Sequence, residues 1–373
     1  MINAGADVNH VLDENGKTLL IEICNHRHLS EVALKLIEAG ANVNQIPRDG
    51  STALILACLN KLPSVALALI EKGADVNQID SSQMSPLFLA CQSRCLSEVA
   101  LKLIEKGANV NHKDRFDQTP LFCACDMTLR EVSLELIKKG ANVDQVTKMK
   151  NTPLLVACRQ CFTEVACKLI DAGANVNYEQ GNYQCTPLNL ACKSGLSDVA
   201  LKLIDHGADI NHADSDRTTP LIQACQSGIS EVSHKLIDMG ANVNHVDINR
   251  DTPLSCACFS KLSEVALKLI DRGAEICETA VYYAIKKNLN SVCYEMIANR
   301  HIRIPTQLGI DTQPLVHRIF HQKCINDIMP LLCIRNKGSG QQCIINTLPD
   351  LCFDLIFKYV MYLYEQDAES YLK

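Results

Sequence analysis

Twenty of the 373 residues are cysteine and eleven are histidine, residue types that could do thiol or metal chemistry. A structural zinc site wants Cys and His ligands in closely spaced pairs. Cys158 and Cys161 have such a spacing, but no second pair matches it. Cys123 and Cys125 stand two apart within a helical pattern, as do Cys256 and Cys258, so each pair points to two different faces. The histidines show no fixed pairing with acids. Gly338-Ser339-Gly340 lacks the Lys and the following helix that a phosphate-binding loop needs. No catalytic constellation emerges: the chain is not expected to be an enzyme, and neither cofactor nor metal is expected.

What the cysteines do show is order. Cys24, Cys58, Cys91, Cys125, Cys158, Cys192, Cys225 and Cys258 occupy one recurring position. Stacked helices lie about 8–10 Å apart, beyond the roughly 7 Å Cα separation that a disulfide tolerates. Cysteine here reads as a small apolar filler, and so many free thiols imply a reducing compartment. The expected location is the cytoplasm or nucleus. The first ten residues have no basic stretch followed by an apolar one, and no apolar run reaches the length of a membrane span. A net charge of −6 argues against nucleic acid as the partner. Aromatics are 5% of the chain and Trp is absent, so large aromatic anchors are scarce.

A stronger period frames the cysteines. A Gly-Ala pair returns at Gly5, Gly40, Gly73, Gly107, Gly140, Gly173, Gly207, Gly240 and Gly273, at intervals of 33 to 35 residues. Such a period means stacked units rather than one globular core. Residues 151–183 show the plan. Thr152 caps a helix and Pro153 opens it. Leu154, Ala157 and Cys158 form one apolar stripe. After a short turn, Thr163 caps a second helix whose stripe is Val165, Leu169 and Ile170. Gly173 ends it, and Asn175-Val176-Asn177 leaves in extended form toward a polar loop. Neither stripe can be buried within the unit, so neighbours must cover them.

These residues resemble the ankyrin repeat. Thr-Pro-Leu starts at Thr119, Thr152, Thr186, Thr219 and Thr252, with weaker versions at Thr18, Thr52 and Ser85. The resemblance implies an all-α fold, an ankyrin-repeat α-solenoid built of helix-turn-helix plus hairpin loop. Residues 10–276 hold eight repeats, and 277–304 a degenerate ninth. Residues 1–9 match the end of a second helix, which suggests the tail of a truncated repeat. The His usual after Thr-Pro-Leu is absent: Phe88, Phe122, Leu155, Asn189, Ile222 and Ser255 stand there. The Gly usual between the helices remains only at Gly195 and Gly228.

By the same resemblance, protein partners are expected on the concave surface, at the loop tips and first helices. The candidate contacts are Arg48, Asp49, Met84, Arg115, Phe116, Met149, Lys150, Tyr183, Arg217 and Arg250. Phe116, Met149 and Tyr183 stand on neighbouring tips where polar residues would suffice. Asn44, Asn77, Asn111, Asn177, Asn211 and Asn244 resemble asparagines modified by asparaginyl hydroxylase, and they also suit a turn. Asp144 breaks that series.

The period stops near Arg300, and residues 305–373 read as a helical C-terminal region. Segment 314–364 resembles the SOCS box that accompanies ankyrin repeats in one family. That resemblance implies docking to elongins B and C through Phe320, Cys324 and Ile328, and to a cullin through Leu348 and Pro349. The same stretch also resembles a short F-box, which would take a Skp-type adaptor, and it suits a simple helical cap. The reading favoured is a substrate-recognition subunit of a cullin-RING ubiquitin ligase. The alternative is a plain ankyrin adaptor, a cytoskeletal or signalling tether whose last helices only cap the stack.

Overall fold

In the computed structural model, which describes residues 7–181 and 183–298, the periodic stretch is a succession of short helix pairs. They are α1 (Leu19–Cys24) with α2 (Ser30–Glu38), α3 (Ala53–Leu59) with α4 (Pro63–Glu71), and α5 (Pro86–Cys91) with α6 (Ser97–Glu105). Next come α7 (Pro120–Asp126) with α8 (Arg130–Lys138), α9 (Pro153–Arg159) with α10 (Thr163–Asp171), and α11 (Pro187–Lys193) with α12 (Ser197–Asp205). The last are α13 (Pro220–Gln226) with α14 (Ser230–Asp238), α15 (Pro253–Phe259) with α16 (Ser263–Asp271), and α17 (Glu278–Lys286) with α18 (Asn290–Ala298). The main contacts of each helix are with its own partner and with the same helix of neighbouring units. This is an α-solenoid. Among the described residues there is no strand, only isolated bridges at Val11–Thr18 and Gln180–Cys185. No described helix is long and apolar enough to cross a membrane.

The first helices start as their sequence demands. The hydroxyls of Thr52, Ser85, Thr119, Thr152, Thr186, Thr219 and Thr252 each accept the N–H three residues on. That satisfies one donor left open at a helix start. Second helices start differently. Thr163 is the first helical residue and caps nothing; Phe162 holds the cap position with no side-chain bond. Leu62, Leu129, Phe162, Leu196, Ile229 and Leu262 all stand there, and packing fixes them. Each donates its N–H to the carbonyl five residues back in the first helix, as in Leu62 to Ala57 at 2.8 Å and Phe162 to Ala157 at 2.8 Å.

That bond belongs to a Schellman closure, which puts the preceding residue in the left-handed region. Gly195 and Gly228 fill it without strain. Elsewhere Lys61, Thr128, Cys161 and Lys261 adopt φ between 55° and 61° at the same place. Thr128 is β-branched, the least suited type. Arg94 holds it from the preceding unit, with guanidinium bonds to Thr128 Oγ1 (2.7 Å) and to the Met127 carbonyl (3.1 Å). Where an extra residue enters this turn, at Arg27–Leu29 and Arg94–Leu96, a 3-10 turn absorbs it. The period of 33 lengthens to 34 or 35 at those turns and at the two bridged loops.

The recurring cysteines are buried between successive first helices. Removal from water penalises the thiolate, so burial pushes Cys24, Cys58, Cys125, Cys225 and Cys258 up to about 12, and Cys91, Cys158 and Cys192 further in the same direction. First helices α3 to α15 are buried except at their last residues, among them Leu59, Arg159, Lys193 and Phe259, whereas α1 exposes Leu19 and α17 exposes Thr279. The expectation that they offer a contact face is therefore corrected for α3 to α15: neighbours on both sides and the second helices leave only their C-terminal ends in water.

Lys61→Gly and Lys261→Gly should each stabilise the protein by about 1 kcal/mol, because a left-handed residue with a Cβ costs about that much. A urea midpoint that stays or falls would contradict it. The raised thiols stabilise the fold fully below the ordinary value near 9, and this is lost as pH rises through the folded values. Each loses about 1.4 kcal/mol per pH unit above 9. Eight together approach the whole stability of a domain, roughly 5–15 kcal/mol. Helical circular dichroism should collapse steeply between about pH 9 and 11; a signal flat to about pH 11 would refute the linkage.

Candidate functional site

Each second helix from α2 to α16 ends in the same closure with glycine at its left-handed residue, as at Gly173 (φ 85°), and the next alanine is buried. The chain then enters a tight turn rather than the extended exit expected from the sequence. Asn175 Oδ1 accepts the Asn177 N–H at 2.9 Å, which bends the backbone back on itself. The second asparagine, Asn177, reaches forward. Its Nδ2 donates to the Gly207 carbonyl (3.0 Å), and its Oδ1 accepts the Asp209 N–H (2.7 Å). Asn44, Asn77, Asn111 and Asn244 make the same two bonds to the following unit. Asp144 keeps only the accepting one, from Asn175 N–H at 2.7 Å, because a carboxylate has no proton to donate to the Gly173 carbonyl. The next residue reaches backward: Nε2 of His112, His212 and His245 meets the Gln83, Gln184 and Arg217 carbonyls at 2.7–2.9 Å.

The tips beyond are also built. Asp114 Oδ1 accepts the N–H groups of Phe116 (2.9 Å) and Gln118 (2.7 Å), and the Asp114 N–H donates to the Gln118 carbonyl. Asp13, Asp80, Asp214 and Asp247 place their carboxylates the same way, and the Thr147 hydroxyl makes the second of the two bonds, accepting the Asn151 N–H. The Lys17 and Asn15 donors hold the Asp13 carboxyl below its ordinary value, the Lys17 N–H contributing most. Sequence reading passed over this aspartate column, although its spacing matches the period. The tip then turns at a left-handed residue: Gly50, Gln83, Asp117, Lys150, Gln184, Arg217 or Arg250. Gly50 has a second reason to be glycine, since a Cβ there would lie 2.8 Å from the Ile79 carbonyl. Successive tips are tied by backbone bonds: Arg48 to Asn15 (2.8 Å), Ser81 to Asp49 (2.8 Å), Lys148 to Phe116 (3.0 Å), Ser215 to Tyr183 (3.0 Å) and Ile248 to Asp216 (3.1 Å).

The result is a ridge. Phe116, Met149 and Tyr183 stand in one column on three consecutive tips, each just before the left-handed residue, and are 56%, 74% and 66% exposed. Arg48, Asp49, Lys150, Arg217 and Arg250 are exposed on their tips. Arg115 is exposed too, but its guanidinium is engaged by the Ser81 carbonyl. Met84 departs from expectation: it lies half-buried against the core, because its position is the last before the helix cap and points inward. Phe320, Cys324, Ile328, Leu348 and Pro349 lie outside the described residues.

Two features escaped the sequence reading. Ile248 is exposed on a later tip. Phe259, at the exposed end of α15, meets Tyr283 edge-on (5.1 Å between rings), with Lys287 Nζ 4.8 Å from its ring centre. An aromatic at the final position of a first helix was the available signal. The missing His after Thr-Pro-Leu has two kinds of replacement. Asn189 takes over its polar role: its Nδ2 donates to the His212 and Thr218 carbonyls, and its Oδ1 accepts the Thr186 N–H. Ser255 Oγ likewise accepts the Thr252 N–H. At Phe88, Leu155 and Ile222 the position is buried apolar packing.

Among the described residues, no group of three or more His, Cys, Asp or Glu is placed to hold a metal ion. The architecture has its counterpart in known families. The chain matches the family model described as Ankyrin repeats (3 copies) over residues 1–80, 134–214 and 188–280, and that described as Ankyrin repeat over 82–115. These matches cover more than half of the chain, which belongs to the ankyrin repeat family. No curated protein matches it.

Asp144→Asn should restore the missing donor to Gly173 and stabilise the stack by about 0.5–1 kcal/mol, read as a higher urea midpoint. An unchanged or lower midpoint would show that the forward bond carries no net stability.

Proposed function

We infer that this chain is a non-enzymatic protein-interaction scaffold, working in the cytoplasm or nucleus, whose contact surface is the ridge of loop tips. Membership of the ankyrin repeat family supports a protein-binding role. The observation that carries the choice of surface is the column of Phe116, Met149 and Tyr183, three large apolar side chains held in water on hydrogen-bonded tips. Scattered apolar residues on a surface are ordinary, but an aligned set on consecutive units marks a contact site. The ridge presents its side chains on a backbone already fixed, so binding loses little loop entropy.

The finer reading is a substrate receptor of a cullin-RING ubiquitin ligase. The repeats would hold the target, and residues 314–364 would dock elongins B and C at Phe320, Cys324 and Ile328, with Leu348 and Pro349 toward the cullin. Its support is the pattern of those residues together with the repeats that precede them.

The test uses the full chain, tagged, in three forms: unaltered, Cys324→Asp, and the combined Phe116→Ala, Met149→Ala and Tyr183→Ala. Proteins co-purifying from cell extract are identified by mass spectrometry. The receptor reading expects elongins and a cullin with the unaltered chain, lost only in Cys324→Asp, and other proteins lost only in the tip variant. A Skp-type adaptor in place of elongins would replace the ligase assignment with the F-box one. Neither adaptor would leave a plain ankyrin adaptor. An unchanged protein set from the tip variant would overturn the choice of surface.

A further inference from the structure

The three exposed apolar side chains of the ridge set a length scale. Phe116, Met149 and Tyr183 hold one position on consecutive tips, each just before the left-handed residue. Consecutive tips are bonded to each other: the Lys148 N–H donates to the Phe116 carbonyl at 3.0 Å, and Gln180 Nε2 donates to Asn151 Oδ1 at 2.8 Å. The column therefore keeps pace with the stacked helices behind it, at about 8–10 Å per unit. A partner that meets all three side chains must return its contact face at that interval.

Regular backbones differ in whether they can do so. In an extended chain successive side chains point to opposite faces, so one face returns every second or fourth residue, at about 6.6 or 13 Å. Neither interval matches one unit. A helix returns to the same face after seven residues, close to two turns, having advanced about 10.5 Å. That lies near the upper end of the unit spacing. The drift of about 20° per seven residues stays, over three contacts, well inside an apolar stripe about 100° wide.

Charge narrows the partner further, at particular tips. The Phe116 tip is balanced, Lys113 and Arg115 against Asp114 and Asp117. The middle tip is not: Lys148 and Lys150 flank Met149, both exposed, with no acid from Val146 to Asn151. The Tyr183 tip has the opposite sign, with exposed Glu179 and no base. We propose that the ridge holds an amphipathic helix of a partner protein, lying along the tips. Its apolar residues at i, i+7 and i+14 pack on Phe116, Met149 and Tyr183, one per unit. An acid beside the i+7 residue faces Lys148 and Lys150, and a base at one end faces Glu179. Resting on the scaffold reading above, this names the shape and chemistry of what the tips hold.

The experiment is selection, on the full chain, of a random peptide library long enough for three heptads. Affinity and circular dichroism are then measured for a selected peptide. Enriched peptides should carry apolar residues at i, i+7 and i+14 with an acid next to the middle one, and should gain helical signal on binding. Proline on the outward side of the middle heptad should weaken binding roughly 100-fold, as in any helix interior. Lys148→Glu with Lys150→Glu should weaken it roughly tenfold at low salt, with a smaller effect at high salt. The combined Phe116→Ala, Met149→Ala and Tyr183→Ala should weaken it roughly 100-fold. All five side chains are exposed, and an unchanged thermal melt shows that the variants fold. Binding indifferent to the lysine pair would overturn the placement of the acid. Peptides with alternating apolar residues and no helical gain, lost in the alanine variant, would overturn this inference while leaving the ridge as the contact surface. Enriched peptides that bind the alanine variant equally, or no enrichment, would overturn both.

Discussion

Every described helix in this protein depends on a neighbour outside its own unit. A single unit has two apolar stripes and can cover only part of either; the rest is buried when the next unit arrives. The recurring Leu, Ala and Cys of the first helices are buried for this reason, packed against the same positions before and after. Small residues at the Ala and Cys positions allow that close approach. The thiols are displaced far from ionisation as a consequence of the packing, and no chemistry is required to explain their number.

The same dependence organises the polar part. Backbone groups at a helix end must find partners, and here many find them one unit away. Asn177 bonds forward to Gly207 and Asp209, His212 bonds back to Gln184, and the tips are joined through pairs such as Lys148 and Phe116. Side chains of one column thus hold the loops in register. What stays unconstrained is the outward side chain of each tip, and there the units differ most. A fixed frame with free tips is how a repeated sequence yields a specific surface.

Much of this was legible in the residues. Gly173 and its equivalents stop helices and Thr152-Pro153 starts them, for reasons that act within a few residues. The exposed column of Phe116, Met149 and Tyr183 was also visible, since large apolar residues on a loop stand out. Other features depend on neighbours thirty residues away and were not visible. Met84 lies in a loop, yet packs inward because the core of the stack lies behind it. The first helices looked like a contact face, but units on both sides bury them. Asp80, Asp114, Asp214 and Asp247 share a column, but an aspartate in a loop reads as solvated until its N–H donors are seen. Thr128 gave no hint of a left-handed backbone, which Arg94 of the preceding unit helps to hold.

The central claim is that stacking makes the loop tips a rigid ridge rather than a set of mobile loops. Hydrogen exchange followed by mass spectrometry measures this directly, because it reports local opening free energies. The account predicts that the amides of Phe116, Gln118, Lys148, Ser215 and Ile248, each bonded within its tip or to the tip before, exchange as slowly as those of the second helices. Exchange of these amides at the rate of an unstructured peptide, with the helices still protected, would contradict it.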